Sequence, residues 1–145
     1  MRCLAPLMLC LAPTVLADTI EHYMNIADNI PRMEMKADPQ SQAWARSARN
    51  VLIITAESIA ESFIQINEEA RNHGNPLFCL PASTPLNGVT MDNLIQETWR
   101  SLSATQSAQQ SMTVSQVAWQ GVVRKFPCNP NVAHQIMQNA FGHKG

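Results

Sequence analysis

Two cysteines decide most of what this chain can become, and which two depends on how its beginning is read. Residues 1–17 form an apolar run behind the single basic Arg2, and Val15-Leu16-Ala17 places aliphatic and small residues just before Asp18. That is the pattern of a secretory signal peptide, with cleavage expected after Ala17. The run is too short to span a bilayer, which takes roughly 20 apolar residues, and it contains Pro6 and Pro13. Cys10 would be lipidated only behind a small residue, and Leu9 stands there instead. Cys3 and Cys10 therefore leave with the leader, while Cys79 and Cys128 stay in a mature chain that starts near Asp18. An even pair in an oxidising compartment reads as one disulfide, here closing a loop of 49 residues. On the chain-entropy model such a loop stabilises by about 4 kcal/mol.

The remaining sequence, 18–145, reads as a single helical domain. Hydrophobic residues at 46% and charged residues at 14% suit a buried core and exclude intrinsic disorder. Only 5 glycines, among many Ala, Gln and Met, favour helices over a β-barrel. The apolar spacing of Ile20, Tyr23, Met24, Ala27 and Ile30 predicts a first helix over Asp18–Ile30, stopped by Pro31. A polar linker follows from Arg32 to Gln40, with a turn at Asp38-Pro39. A long helix is expected over Ser41–Asn72, with an inward stripe of Trp44, Ala48, Val51, Leu52, Thr55, Ile59, Phe63 and Ile66. Glu57, Glu61 and Glu68 line its far side, Arg46 and Arg49 precede them, and His73-Gly74-Asn75-Pro76 punctuates its end.

Pro76-Leu77-Phe78-Cys79-Leu80-Pro81 is then an extended apolar knot, and Asn87-Gly88 a turn. Thr90 is expected to cap a third helix bearing Met91, Leu94, Ile95, Trp99 and Leu102. After the polar stretch Ser103–Ser111, Thr113 caps a fourth helix with Val114, Val117, Ala118, Gly121, Val122 and Phe126 on one face. Asn129-Pro130-Asn131 opens a short last helix with Val132, Ile136, Met137, Ala140 and Phe141. The expected architecture is all-α: a small five-helix bundle tied by one disulfide.

Chemistry-bearing patterns are sparse. His22, His73, His134 and His143 form no helical metal pair, and the chain has no HExxH, no phosphate loop and no GxSxG elbow. Glu57 and Glu61 lie one turn apart, which a solvated helical face explains better than an acid/base pair. Met33-Glu34-Met35, with His22 and Met24 upstream, has the softness of a copper(I) site, but methionine is an ordinary gap-filler in cores. The three tryptophans fall on or beside apolar stripes, so core packing accounts for them. With 10 Lys+Arg against 11 Asp+Glu, a partner bound by counterion release from nucleic acid is not expected. The reading is a protein without catalytic residues, metal or cofactor.

The sequence Leu77-Phe78-Cys79-Leu80-Pro81, then helices, then Phe126-Pro127-Cys128, resembles the Rap/Tai immunity proteins of bacterial type VI secretion. In that family the corresponding segments read roughly "FC-x-P" and "[FY]PC". Where many members carry a further cysteine and a Gly-Tyr-like motif in the preceding helix, this chain has Ala60-Glu61-Ser62-Phe63-Ile64-Gln65. The resemblance implies a periplasmic protein that occludes the active site of a cell-wall amidase effector, often as a homodimer. A second class shares the helical, exported, single-disulfide character: small periplasmic acid-stress chaperones, which loosen at low pH and expose apolar surface.

A binding protein needs a grip, and binding residues gather on loops held by a rigid scaffold. Ser103, Thr105, Gln106, Ser107, Gln109, Gln110 and Ser111 supply uncharged donors and acceptors. Such groups can enter a hydrolase cleft without burying an unpaired charge. Asn67 to Asn75 is the second candidate, and the Glu57–Glu61–Glu68 face the third.

Overall fold

Short polar side chains set where each helix begins. In the computed structural model, which describes residues 19–103 and 112–128, the helices are α1 (Ile20–Glu34), α2 (Pro39–Asn72), α3 (Gly88–Ser103) and α4 (Val114–Lys125). Thr19 accepts from the His22 N–H at the start of α1, and Asp38 from the Ser41 N–H at the start of α2. Asn87 accepts from both the Thr90 N–H and the Thr90 hydroxyl at α3. Thr113 and Gln116 close a reciprocal capping box at α4. Each arrangement satisfies N–H groups that have no partner inside the helix.

The all-α class and the disulfide are as expected; the helix count is not. Among the described residues there are four helices, and the fifth, expected beyond Asn129, lies outside them, as do the leader and residues 104–111. Three boundaries also differ from the sequence reading. Pro31 does not stop α1: it sits inside the last turn, where the missing N–H removes a single bond, and the helix runs on to Glu34. Glu34 is tethered to α2 by an ion pair with Arg49 at 2.6 Å. Asp38-Pro39 is not a free turn but the N-cap and first residue of α2, where a proline loses nothing. The third helix begins at Gly88 rather than at Thr90, because Asn87 does the capping.

The larger correction concerns which side of α2 is buried. Ala45, Leu52, Ala56, Ala60 and Asn67 face the core, whereas Trp44, Val51 and Ile66, expected to point inward, are exposed. The observed face is rotated by about one residue, roughly 100°. Alanines let neighbouring helices approach closely, and α2 packs against both α1 and α3. The bulky residues are left to the flanks: Ile59 and Phe63 are only partly buried against the core. Trp99 and Trp119 also pack there in part, and Trp44 does not.

Chain neighbours pack on one another, α1 on α2, α2 on α3 and α3 on α4, and α1 also touches α4. That last contact joins two helix starts, where the Ile20 N–H donates to the Met112 carbonyl at 2.9 Å and Thr19 bridges Thr113. Ile20, Met91, Ile95, Val117 and Val122 fill the centre. Gly121 lets α4 lie against α3, since a Cβ there would meet the Leu94 Cγ at 3.0 Å and the Thr98 hydroxyl closer still.

One polar contact crosses this core. Tyr23, 1% exposed, donates its hydroxyl to Asp92 Oδ1 at 2.6 Å. The Gln96 amide donates to both oxygens of the same carboxylate, at 3.0 and 3.1 Å. Burial, and then the Asp92 acceptor and its charge, push the Tyr23 pKa well above its ordinary value. In the unfolded chain the phenol ionises near pH 10. The folded protein holds the proton beyond that point, so the associated stability is intact below about pH 10 and is lost as pH rises above it. Unfolding free energy should therefore fall by about 1.4 kcal/mol per pH unit in that range. Tyr23→Phe should flatten this alkaline slope while costing about 2 kcal/mol at neutral pH. Because Tyr23 is the chain's 1 tyrosine, ultraviolet titration reports it alone. A phenol that ionises near pH 10 in the folded protein contradicts the assignment.

Candidate functional site

The segment after α2 has no helix of its own, and its order comes from three anchors. The end of α2 is shaped by Gly74, at φ 80°, whose N–H donates to the Arg71 carbonyl while the Asn75 N–H donates to that of Ala70. A left-handed residue at this point releases the chain from the helix. Residues 76–87 then fold back along the C-terminal half of α2.

Asn67 is the first anchor. Its side-chain oxygen accepts from the backbone N–H groups of Leu77 at 2.8 Å and Phe78 at 3.1 Å, and its amide donates to the Phe78 carbonyl at 3.0 Å. One side chain thus reproduces, for Phe78, both bonds that a neighbouring strand would make. Asn67 is only 3% exposed, so these bonds have no water to replace them. The second anchor is Phe78 itself, fully buried and edge-on to Trp119, which is in turn edge-on to Phe63 at 5.2 Å between ring centres.

Cys79 and Cys128 form the third. They are disulfide-bonded, with Cα atoms 4.7 Å apart, and the Cys79 N–H donates to the Phe126 carbonyl at 2.8 Å. The two cysteine-containing motifs of the sequence therefore meet as one unit at the end of α4. Both cysteine residues are exposed, so the bond ties the surface of the knot rather than its interior.

Two concavities flank the knot. A groove of about 430 Å³ runs between α2 and residues 80–87, with Ile64, Phe78, Leu80 and Leu86 inside and Glu68 and Arg71 on the rim. A second, of about 360 Å³, lies between Phe63 and Trp119, edged by Met112, Gln116 and Gln120. Its wall at Met112 is where the chain returns from the polar 104–111 stretch.

Of the residues expected to grip a partner, Ser103 is the last residue of α3; Thr105, Gln106, Ser107, Gln109, Gln110 and Ser111 lie outside the described residues. The second candidate is corrected: residues 67–72 are the last turns of α2, not a loop, and Asn67 is a buried brace. The third changes as well. Glu57 is not part of a solvated face, because its Oε2 accepts from the Gly88 N–H and so caps α3. A carboxylate at a helix start is favoured by the dipole there. Gly88 is required by this contact: a Cβ would lie 2.7 Å from the Ile53 carbonyl oxygen. Glu61 and Glu68 remain exposed.

Sequence reasoning missed Asn67, and one signal pointed to it. It continues the phase of Ala56 and Ala60, so a polar residue stood on the inward face of α2. Among the described residues no group of three or more His, Cys, Asp or Glu side chains could hold a metal ion, and no helix is long and apolar enough to cross a membrane. The chain matches no family model, no curated protein and no solved structure.

Proposed function

We propose that this chain is an exported, periplasmic immunity protein that binds and inhibits a cell-wall amidase effector of type VI secretion. The observation that carries the reading is the joining of the two motifs on which the family resemblance rests. Phe78-Cys79 and Phe126-Pro127-Cys128 are distant in sequence, yet they share a disulfide and a backbone hydrogen bond. A scaffold held in this way presents neighbouring segments with little ordering cost, which is how an inhibitor draws affinity from a modest interface. In this reading the polar side chains of residues 103–111 enter the hydrolase cleft.

The experiment is co-purification of the mature chain from its native cell, followed by a peptidoglycan amidase assay with the captured partner. The expected result is stoichiometric binding and loss of hydrolysis at neutral pH. Replacing Gln106, Gln109 and Gln110 together by alanine should leave thermal stability unchanged and weaken binding at least tenfold, about 1.4 kcal/mol. Unaltered affinity in that variant would move the grip to another surface. A chain that captures no hydrolase at neutral pH, but suppresses aggregation of unrelated proteins after acidification, would instead be a stress chaperone.

A further inference from the structure

The exposed side of α2 carries an apolar surface that nothing else among the described residues covers. Trp44, Val51, Ile54 and Ile66 project from it, with Val51 at 54% and Ile54 at 66% exposure. At 1.5 Å per residue, residues 44–66 extend about 33 Å. On a helical projection no charged residue falls between these four; Arg46 and Glu61 run along one margin, followed by Glu68. The serines on the same face are already satisfied. Ser58 donates to the Ile54 carbonyl at 3.0 Å and Ser62 to the Ser58 carbonyl at 2.8 Å, so neither hydroxyl proton seeks a partner outside the helix. Scattered exposed apolar residues need no explanation, whereas an aligned and charge-free set marks an interaction surface.

The charges on the margin say what fits there. Arg46 lies in the first half of α2, and Glu61 and Glu68 in the second; none of the three makes an ion pair among the described residues. The geometry points to a second copy of this chain, packed with its α2 antiparallel to the first and the two-fold axis at Thr55. Thr55 is midway between Trp44 and Ile66, so each tryptophan meets the other copy's Ile66. Arg46 of each copy then falls opposite Ile64 of the other, between Glu61 and Glu68. A parallel arrangement would set Arg46 against Arg46 and Glu61 against Glu61, which repel. The antiparallel one matches apolar to apolar and basic to acidic over the whole length, and a two-fold interface of this kind is self-complementary and closed.

The test needs the mature chain alone, so its outcome is separate from that of the proposed function. Sedimentation and light scattering at micromolar concentrations should give twice the monomer mass. Ile54→Glu and, separately, Ser58→Arg should each yield a monomer whose thermal midpoint matches that of a wild-type sample diluted until monomeric. Arg46→Glu should weaken association about tenfold, and adding Glu61→Arg with Glu68→Arg should restore it. A wild-type chain that stays monomeric overturns the proposal, as does a dimer that survives both Ile54→Glu and Ser58→Arg. Failure of the triple charge exchange to restore association would overturn the antiparallel arrangement.

Discussion

Asn67→Ala should lower the unfolding free energy by about 3 kcal/mol, because the substitution strands three backbone groups at once. The Phe78 N–H and carbonyl are buried and lose their partner outright, while the Leu77 N–H, on a more exposed residue, can turn to water. A buried polar group left without a partner costs more than the bond it once made was worth. For a chain of this size about 4 °C accompanies each kcal/mol, so the thermal midpoint should fall by about 12 °C. Asn67→Asp is the informative companion. It keeps the acceptor for Leu77 and Phe78 but sets a carboxylate against the Phe78 carbonyl, and should be at least as damaging. Chemical denaturation of both variants checks this. A loss under 1 kcal/mol in each would mean that the knot is held without Asn67.

Removing the covalent tie acts through the other side of the equilibrium. Cys79→Ser with Cys128→Ser should cost about 4 kcal/mol for a loop of 49 residues. The folded form should persist, since Phe78 stays buried and the Cys79 N–H keeps the Phe126 carbonyl. The stabilisation comes chiefly from restricting the unfolded chain, so the variant should also show a steeper dependence on denaturant, its unfolded state being more expanded. Equal slopes with a large loss of helical signal would place the effect in the folded state instead. Combining the serine pair with Asn67→Ala should cost less or more than the sum, because both act on the same segment.

Much of this fold was legible, and the parts that were not share a cause. Apolar spacing located all four helices, and Thr113 and the His73-Gly74-Asn75-Pro76 run marked ends that the structure keeps. Cysteine counting alone led to the Cys79–Cys128 bond. The rotation of α2 was not legible, because a stripe read by side-chain size favours Trp44, Val51 and Ile66 over Ala45, Ala56 and Ala60. Burial follows how closely helices approach, and alanine allows the closest approach. Asn67 and Glu57 were hidden for a second reason. Both act on backbone groups, of Phe78 and Gly88, and a backbone partner leaves no mark in the sequence. The polar 104–111 stretch is beyond this comparison, since it lies outside the described residues.

The way the helices follow one another has a kinetic consequence. Because each packs on its neighbour in the chain, most contacts close short loops, and such topologies cross the folding barrier on the microsecond-to-millisecond scale. Thiol oxidation takes seconds or longer. A chain emerging unfolded can therefore assemble α1 through α4 first, bringing Cys79 and Cys128 side by side before either sulfur has reacted. The bond then records a structure already formed, and an oxidant meets one pre-aligned pair instead of searching among coil conformations.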